Sequence, residues 1–282
     1  MTAKTGTVFE WVWPTSFVVA AGWTIWHLPA YVLDFAPHSN PSQFDQVSAI
    51  HARKDVTPDL PGLFGGFADP IDWLALVLLP VFVFLGIRTV RVASMELQDF
   101  HRVDKFSIFI GRATMILILG MTLIMLYEVF LRYVVEAPTL WANELTLWTA
   151  GFVFLCSGLY AMQQRSHIRI FLLYDVVPRP IQRLFDTIWT ALIVIFAFFL
   201  VFGSYQQVFE VKFYRWEMFG TAFDPPIPAT IQPMILIIAV LISLQAVSNL
   251  ICDWNAAPTT HSAADDVDES ELKAISRTLE DK

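Results

Sequence analysis

The feature that most constrains this chain is a succession of six apolar stretches, each close to the roughly 20 residues a helix needs to cross about 30 Å of hydrocarbon. Backbone N–H and C=O groups find no water inside a bilayer, so stretches of this kind must close their own hydrogen bonds as helices. Four are long and nearly free of charge: Phe106 to Tyr127, Trp141 to Met162, Leu184 to Phe202 and Ile227 to Cys252. Trp11 to Leu33 carries Pro14, Pro29 and His27, and Ile71 to Ile87 is shorter and carries Asp72 and Pro80. Both are expected to span as well. The fold class is therefore all-α, a polytopic membrane helix bundle of about six transmembrane helices. Composition agrees, since 56% of the residues are hydrophobic, against roughly 45 to 50% in soluble domains.

Charge placement orients the chain, because Lys and Arg in short loops stay on the cytoplasmic side during insertion. Arg88, Arg91, Arg102 and Lys105 follow the second stretch, and Arg165, Arg169, Arg179 and Arg183 follow the fourth. The alternate loops hold only Arg53 with Lys54, Arg132, and Lys212 with Arg215. Six spans then put both termini in the cytoplasm. The run from Trp11 is rich in aromatics and lacks an Ala-x-Ala-like cleavage site, so it reads as a retained anchor.

Residues 1–105 thus form an N-terminal part with two expected spans and a polar, Pro- and Gly-bearing periplasmic loop from Ala36 to Asp69. Residues 106–254 form a four-helix part. Residues 255–282 form an acidic tail that supplies much of the net charge of -8 and has the composition of a disordered segment. Such a balance speaks against nucleic acid as a partner. Cys156 and Cys252 lie far apart in apolar runs, and no disulfide is expected.

Chemistry-bearing patterns are sparse. Of the six histidines only His27 falls inside a span, so the paired intramembrane ligands of a haem-binding membrane cytochrome are missing. No phosphate-binding loop, nucleophile elbow or zinc motif occurs. The chain is read as a non-enzyme with no cofactor of its own. A lone His27 is expected to hydrogen-bond structurally near the periplasmic interface. Nor is there a fixed-period repeat or a matched pair of interrupted helices, which counts against a self-sufficient carrier.

Ionisable residues at membrane depth are costly unless paired or facing a cavity. Glu128 and Arg132 are four apart, the favourable order for an ion pair on a helix. The short turn that follows allows Glu144 to approach Arg132 too. A structural cluster of Glu128, Arg132 and Glu144 is expected, with a substrate or ion site as the sharper alternative. Arg112, about a turn inside the third stretch, is expected to snorkel toward headgroups. Ala150, Ser157 and Ala161, with Gly151 and Gly158 beside them, form a small-residue stripe. It serves either internal packing or docking against a second membrane protein. Trp189, Phe196, Phe198 and Phe199 mark the fifth stretch as lipid-facing, and Trp11, Trp13, Trp73, Trp141, Trp216 and Trp254 lie near span ends as headgroup-level anchors.

The segment Glu128-Val-Phe-Leu-Arg132-Tyr133, then Pro138, Trp141 and Glu144-Leu145, then a helix bearing Gly151 and Gly158, and finally His167-Ile168-Arg169 resembles the small permease of tripartite ATP-independent periplasmic (TRAP) transporters, the DctQ-like family. The resemblance extends over Phe106 to Cys252, about half of the chain, with residues 1–105 as an extension found in longer members. Asn143 stands where that family often has a second Glu, and Phe171 where Asp is frequent. The resemblance implies a scaffold subunit supporting a large elevator-type permease. That permease carries the coupling ion, usually sodium, and receives an organic acid from a periplasmic solute-binding protein. It marks Glu128, Arg132, Trp141, Glu144, His167 and Arg169 as family-pattern or subunit-interface positions, beside Gly151 and Gly158, and leaves membrane lipid as the remaining partner. A membrane-anchor subunit of a respiratory complex is the alternative reading.

Overall fold

The computed structural model describes residues 9–28, 30–31, 68–93, 96, 101, 103–165, 177–213 and 216–255. All regular structure among them is helical: α1 (Phe9–Trp26), α2 (Pro70–Thr89), α3 (Asp104–Phe130), α4 (Ala142–Gln163), α5 (Arg179–Tyr205) and α6 (Ile227–Asp253). α3 and α5 each run on into a wider π-helical segment, Leu131–Val135 and Gln206–Phe213. The chain is an all-α, multi-pass membrane bundle. Five of the helices are long and apolar enough to cross a membrane, with α3 and α5 counted together with their π segments. The first, α1, has 18 residues including Glu10 and Pro14 and is not among them. The polar segment from Ala36 to Gly66 and the tail beyond Asn255 lie outside the described residues.

The residues that weaken the second apolar stretch turn out to start its helix. Asp69 is the N-cap of α2, Pro70 occupies the first turn, and Asp72 completes a capping box. The Asp69 carboxylate accepts from the amides of Ile71 and Asp72, and Asp72 Oδ2 accepts from the amide of Asp69. The other oxygen of Asp72 accepts from Trp23 Nε1 at 2.7 Å, and its backbone carbonyl accepts from Tyr31 Oη at 2.5 Å. His27 is buried beside them, its Nδ1 2.9 Å from the Trp23 carbonyl and 3.8 Å from Asp72 Oδ1. One capping carboxylate therefore fastens α1 to α2.

Apolar packing continues the connection. Phe17 of α1 meets Phe109 of α3 edge-on at 5.4 Å, and Trp13 stacks near Phe82 of α2. Trp26 reaches both Trp148 of α4 and Phe223 in the segment before α6. Glycines allow the closest approaches: a Cβ at Gly86 would run into the Phe109 ring, and one at Gly111 would lie 2.5 Å from the Tyr160 ring. Outward faces carry bulky apolar groups, with Phe196, Phe198, Phe199 and Phe202 of α5 all exposed, as expected of a lipid-facing helix.

Arg112 corrects the sequence reading. It does not snorkel outward but is buried, with Nη2 donating to Glu96 Oε2 at 2.9 Å and to the Arg91 carbonyl at 3.2 Å. Its Nε lies 3.7 Å from Glu10 Oε1. Tyr160 Oη donates to the other oxygen of Glu96 at 2.6 Å. A guanidinium with two carboxylates in reach can stay buried with them, here with its Nε making no hydrogen bond.

Candidate functional site

Glu128 is buried near the end of α3, and three donors converge on it. Arg132 Nη2 donates to Oε1 at 2.7 Å, while Thr139 donates to Oε2 through its hydroxyl at 2.5 Å and its amide at 3.1 Å. The carboxylate therefore ties the π segment and the following turn back onto the helix. Arg132 is itself 43% exposed in its side chain, so the pair has one sheltered and one open member.

Glu144 does not join them. It stands in the first turn of α4, where a carboxylate is favoured by the exposed amides of the helix start. Its Oε2 accepts from Thr221 Oγ1 at 2.6 Å and from the Asp224 amide at 3.1 Å. Asp224 Oδ1 in turn accepts from the Gly220 amide at 2.6 Å. The expected three-residue cluster is thus two separate pins, because Arg132 finds its acid within its own helix and Glu144 is engaged by the segment leading into α6.

Trp141 directly precedes α4, its ring 6.4 Å from that of Tyr127. Gly151 and Gly158 face α6 of the same chain: a Cβ at Gly151 would lie 2.8 Å from Ile231 Cδ1, and one at Gly158 would lie 3.5 Å from Ile242 Cδ1. His167 and Arg169 lie outside the described residues, as does Phe171.

Two polar groupings escaped the sequence reading. In the first, Gln245 of α6 is buried and donates to Asp104 Oδ1 at 2.7 Å and to Asn249 Oδ1 at 2.9 Å, while accepting from Ser107 Oγ at 2.8 Å. Asn249 donates to the Met162 carbonyl, which brings α4 in. Gln245 and Asn249, four apart in an apolar run, were the available signal, since polar groups in spans turn inward and pair. The second is Arg165 with Asp253, joined by Arg179.

None of these groupings sets a nucleophile beside a base. Among the described residues no three His, Cys, Asp or Glu side chains lie close enough to hold a metal ion. An open groove of about 600 Å³ between α5 and α6 is lined by apolar groups, with Tyr205, Gln206 and Ser243 as its polar side chains. It offers no cation to an organic acid.

Polar side chains tied to one another toward the helix ends, with bulky apolar groups turned outward between them, define a multi-pass membrane protein built for helix–helix association. Residues 121–256 match the family described as Tripartite ATP-independent periplasmic transporters, DctQ component. A protein of Vibrio cholerae serotype O1 described as "C4-dicarboxylate TRAP transporter small permease protein DctQ" is 27% identical over 143 residues, covering 49% of this chain and 59% of that relative. The chain thus spans less than two thirds of the relative's length. No solved structure matches. Over residues 121–256 the chain is thus similar to DctQ-like small permeases of the TRAP type.

Proposed function

We propose that this chain is the scaffold subunit of a TRAP transporter, holding a large permease in the bacterial inner membrane with both of its own termini in the cytoplasm. The DctQ match over residues 121–256 carries the reading. It covers the last third of α3 and all of α4, α5 and α6, together with the pins at Glu128 and Glu144. Loop charges support the orientation, since Arg88, Arg91, Arg165, Arg179 and Arg183 gather at one end of the bundle.

In this reading the large permease moves the solute as an elevator, driven by an ion gradient whose sodium site belongs to that subunit. A periplasmic binding protein delivers an organic acid. C4-dicarboxylate, for which the Vibrio relative is named, is one such acid. The present chain needs no cofactor of its own. Glu128 with Arg132, and Glu144 with Thr221, fix the periplasmic turns against which a partner rests. Trp141 levels α4 in the membrane.

Purification from native membranes in mild detergent tests the proposal. A tagged chain is expected to bring down a larger polytopic permease in fixed ratio. Recovery of a stable homo-oligomer with no such permease overturns it.

A further inference from the structure

Three arginines meet where α4 ends, α5 begins and α6 ends. Arg165 grips the Asp253 carboxylate with Nε on one oxygen and Nη2 on the other, the latter at 2.7 Å. Arg179, in the first turn of α5, donates from Nη2 to the Asp253 carbonyl at 2.8 Å and from Nη1 to Gln182 Oε1 at 3.2 Å. Arg183 lies over the Trp254 ring at 5.4 Å. All three guanidinium groups thus converge on residues 253 and 254. Asp253 balances one of them, and Asp186 follows Arg183 by a turn on α5.

Each arginine also keeps one buried N–H that has no acceptor: Nη1 of Arg165, Nε of Arg179 and Nε of Arg183. A buried charged donor left unmet costs more than a neutral one. Three such donors on converging side chains form a set that lacks an acceptor, not three separate defects. The acceptor that suits planar guanidinium donors is a carboxylate or a phosphate. The start of α5 adds a favourable field for an anion. The position, at the basic end of a membrane bundle beside Trp254, is the level of phospholipid headgroups.

We propose that Arg165, Arg179 and Arg183 form a binding site for the phosphate of an anionic phospholipid headgroup, seated between the ends of α4, α5 and α6. With the Arg165–Asp253 pair closed, Nη1 of Arg165 remains to donate, beside Nε of Arg179 and Nε of Arg183. The site pins the membrane itself to the joint of three helices. It rests on the chain being a membrane protein and not on its assignment to a transporter.

Native mass spectrometry of the purified full chain, titrated with phosphatidylglycerol, phosphatidylcholine or inorganic phosphate, tests this. The expected result is preferential retention of phosphatidylglycerol, with apparent affinity falling about tenfold when Arg179→Gln and Arg183→Gln are combined. Arg183→Gln alone removes no hydrogen bond made by this side chain, so it serves as the second variant if the double one fails to fold. It is expected to weaken phosphatidylglycerol binding in the same direction. Equal retention of phosphatidylglycerol and phosphatidylcholine, or unchanged binding by Arg183→Gln, overturns the proposal. Occupancy by inorganic phosphate that excludes the lipid overturns the headgroup as its source.

Discussion

At Arg165 the backbone takes φ 54°, the left-handed region in which a side chain is strained and glycine is at ease. A helix end of this kind ordinarily carries glycine. The strain is tolerated because the same residue grips Asp253. Arg165→Gly relieves the strain and loses the pair, whereas Arg165→Ala loses the pair and keeps the strain. Thermal unfolding in detergent is therefore expected to find the glycine variant more stable than the alanine variant by about 1 kcal/mol. Glu128 makes a different kind of prediction, since Thr139 shares its carboxylate with Arg132. Exchanging the charges through Glu128→Arg with Arg132→Glu restores an ion pair but not the bonds to Thr139. The melting temperature is expected to recover only partly relative to Arg132→Glu alone, and full recovery would show that the threonine contacts contribute nothing. The Glu128–Arg132 pair was legible in the sequence because both partners sit one turn apart on one helix. Glu144 was misassigned because its partners, Thr221 and Asp224, stand on a segment that no local spacing brings to it. Arg112 was misjudged for the same reason, with Glu10 and Glu96 supplied by other parts of the chain.

At the scale of the elements, the apolar runs were read nearly in place, because hydropathy counts what a bilayer selects. Their ends were not. The fifth run was placed from Leu184, yet α5 begins at Arg179, and the third was placed from Phe106, yet α3 begins at Asp104. Charged residues at those ends are satisfied by neighbouring helices, as Asp104 is by Gln245, and composition alone counts them as loop. The α-helical part of α5 has 27 residues, so it is about 40 Å long and exceeds the hydrocarbon thickness unless it tilts. Glycine substitutions separate close packing from open space along these helices. Gly111→Ala drives a methyl into the ring of Tyr160, which Glu96 holds in place, and is expected to lower stability by roughly 1 to 3 kcal/mol. Gly151→Ala meets the flexible tip of Ile231 and is expected to cost less. Gly120→Ala meets nothing within 4 Å and is expected to leave the melting temperature unchanged. A loss at Gly120 as large as that at Gly111 would mean that packing in the membrane differs from the arrangement described.

Across the whole molecule, the N-terminal helices are joined to the rest by chemistry at both of their ends. Trp26 lies against Trp148 and Phe223 at one end, and Arg112 links Glu10 and Glu96 to α3 and α4 at the other. Arg112→Met strands both carboxylates in the interior and is expected to destabilise by about 3 to 5 kcal/mol. Adding Glu10→Gln and Glu96→Gln to that variant removes the stranded charges and is expected to return much of the loss in detergent unfolding. If it returns none, the arginine acts through something other than the carboxylates. This junction was invisible in the sequence because its members come from four separate segments. The π-helical stretches carry a consequence for chain length. Each holds one more residue per turn than an α-helix would, so a single-residue deletion within Leu131–Val135 or Gln206–Phe213 can be absorbed by rewinding to ordinary helix. A deletion in the middle of α4 has no such slack and turns everything after it by about 100° about the axis. The ends of the two longest helices are therefore where insertions and losses over evolutionary time leave the membrane-buried register undisturbed.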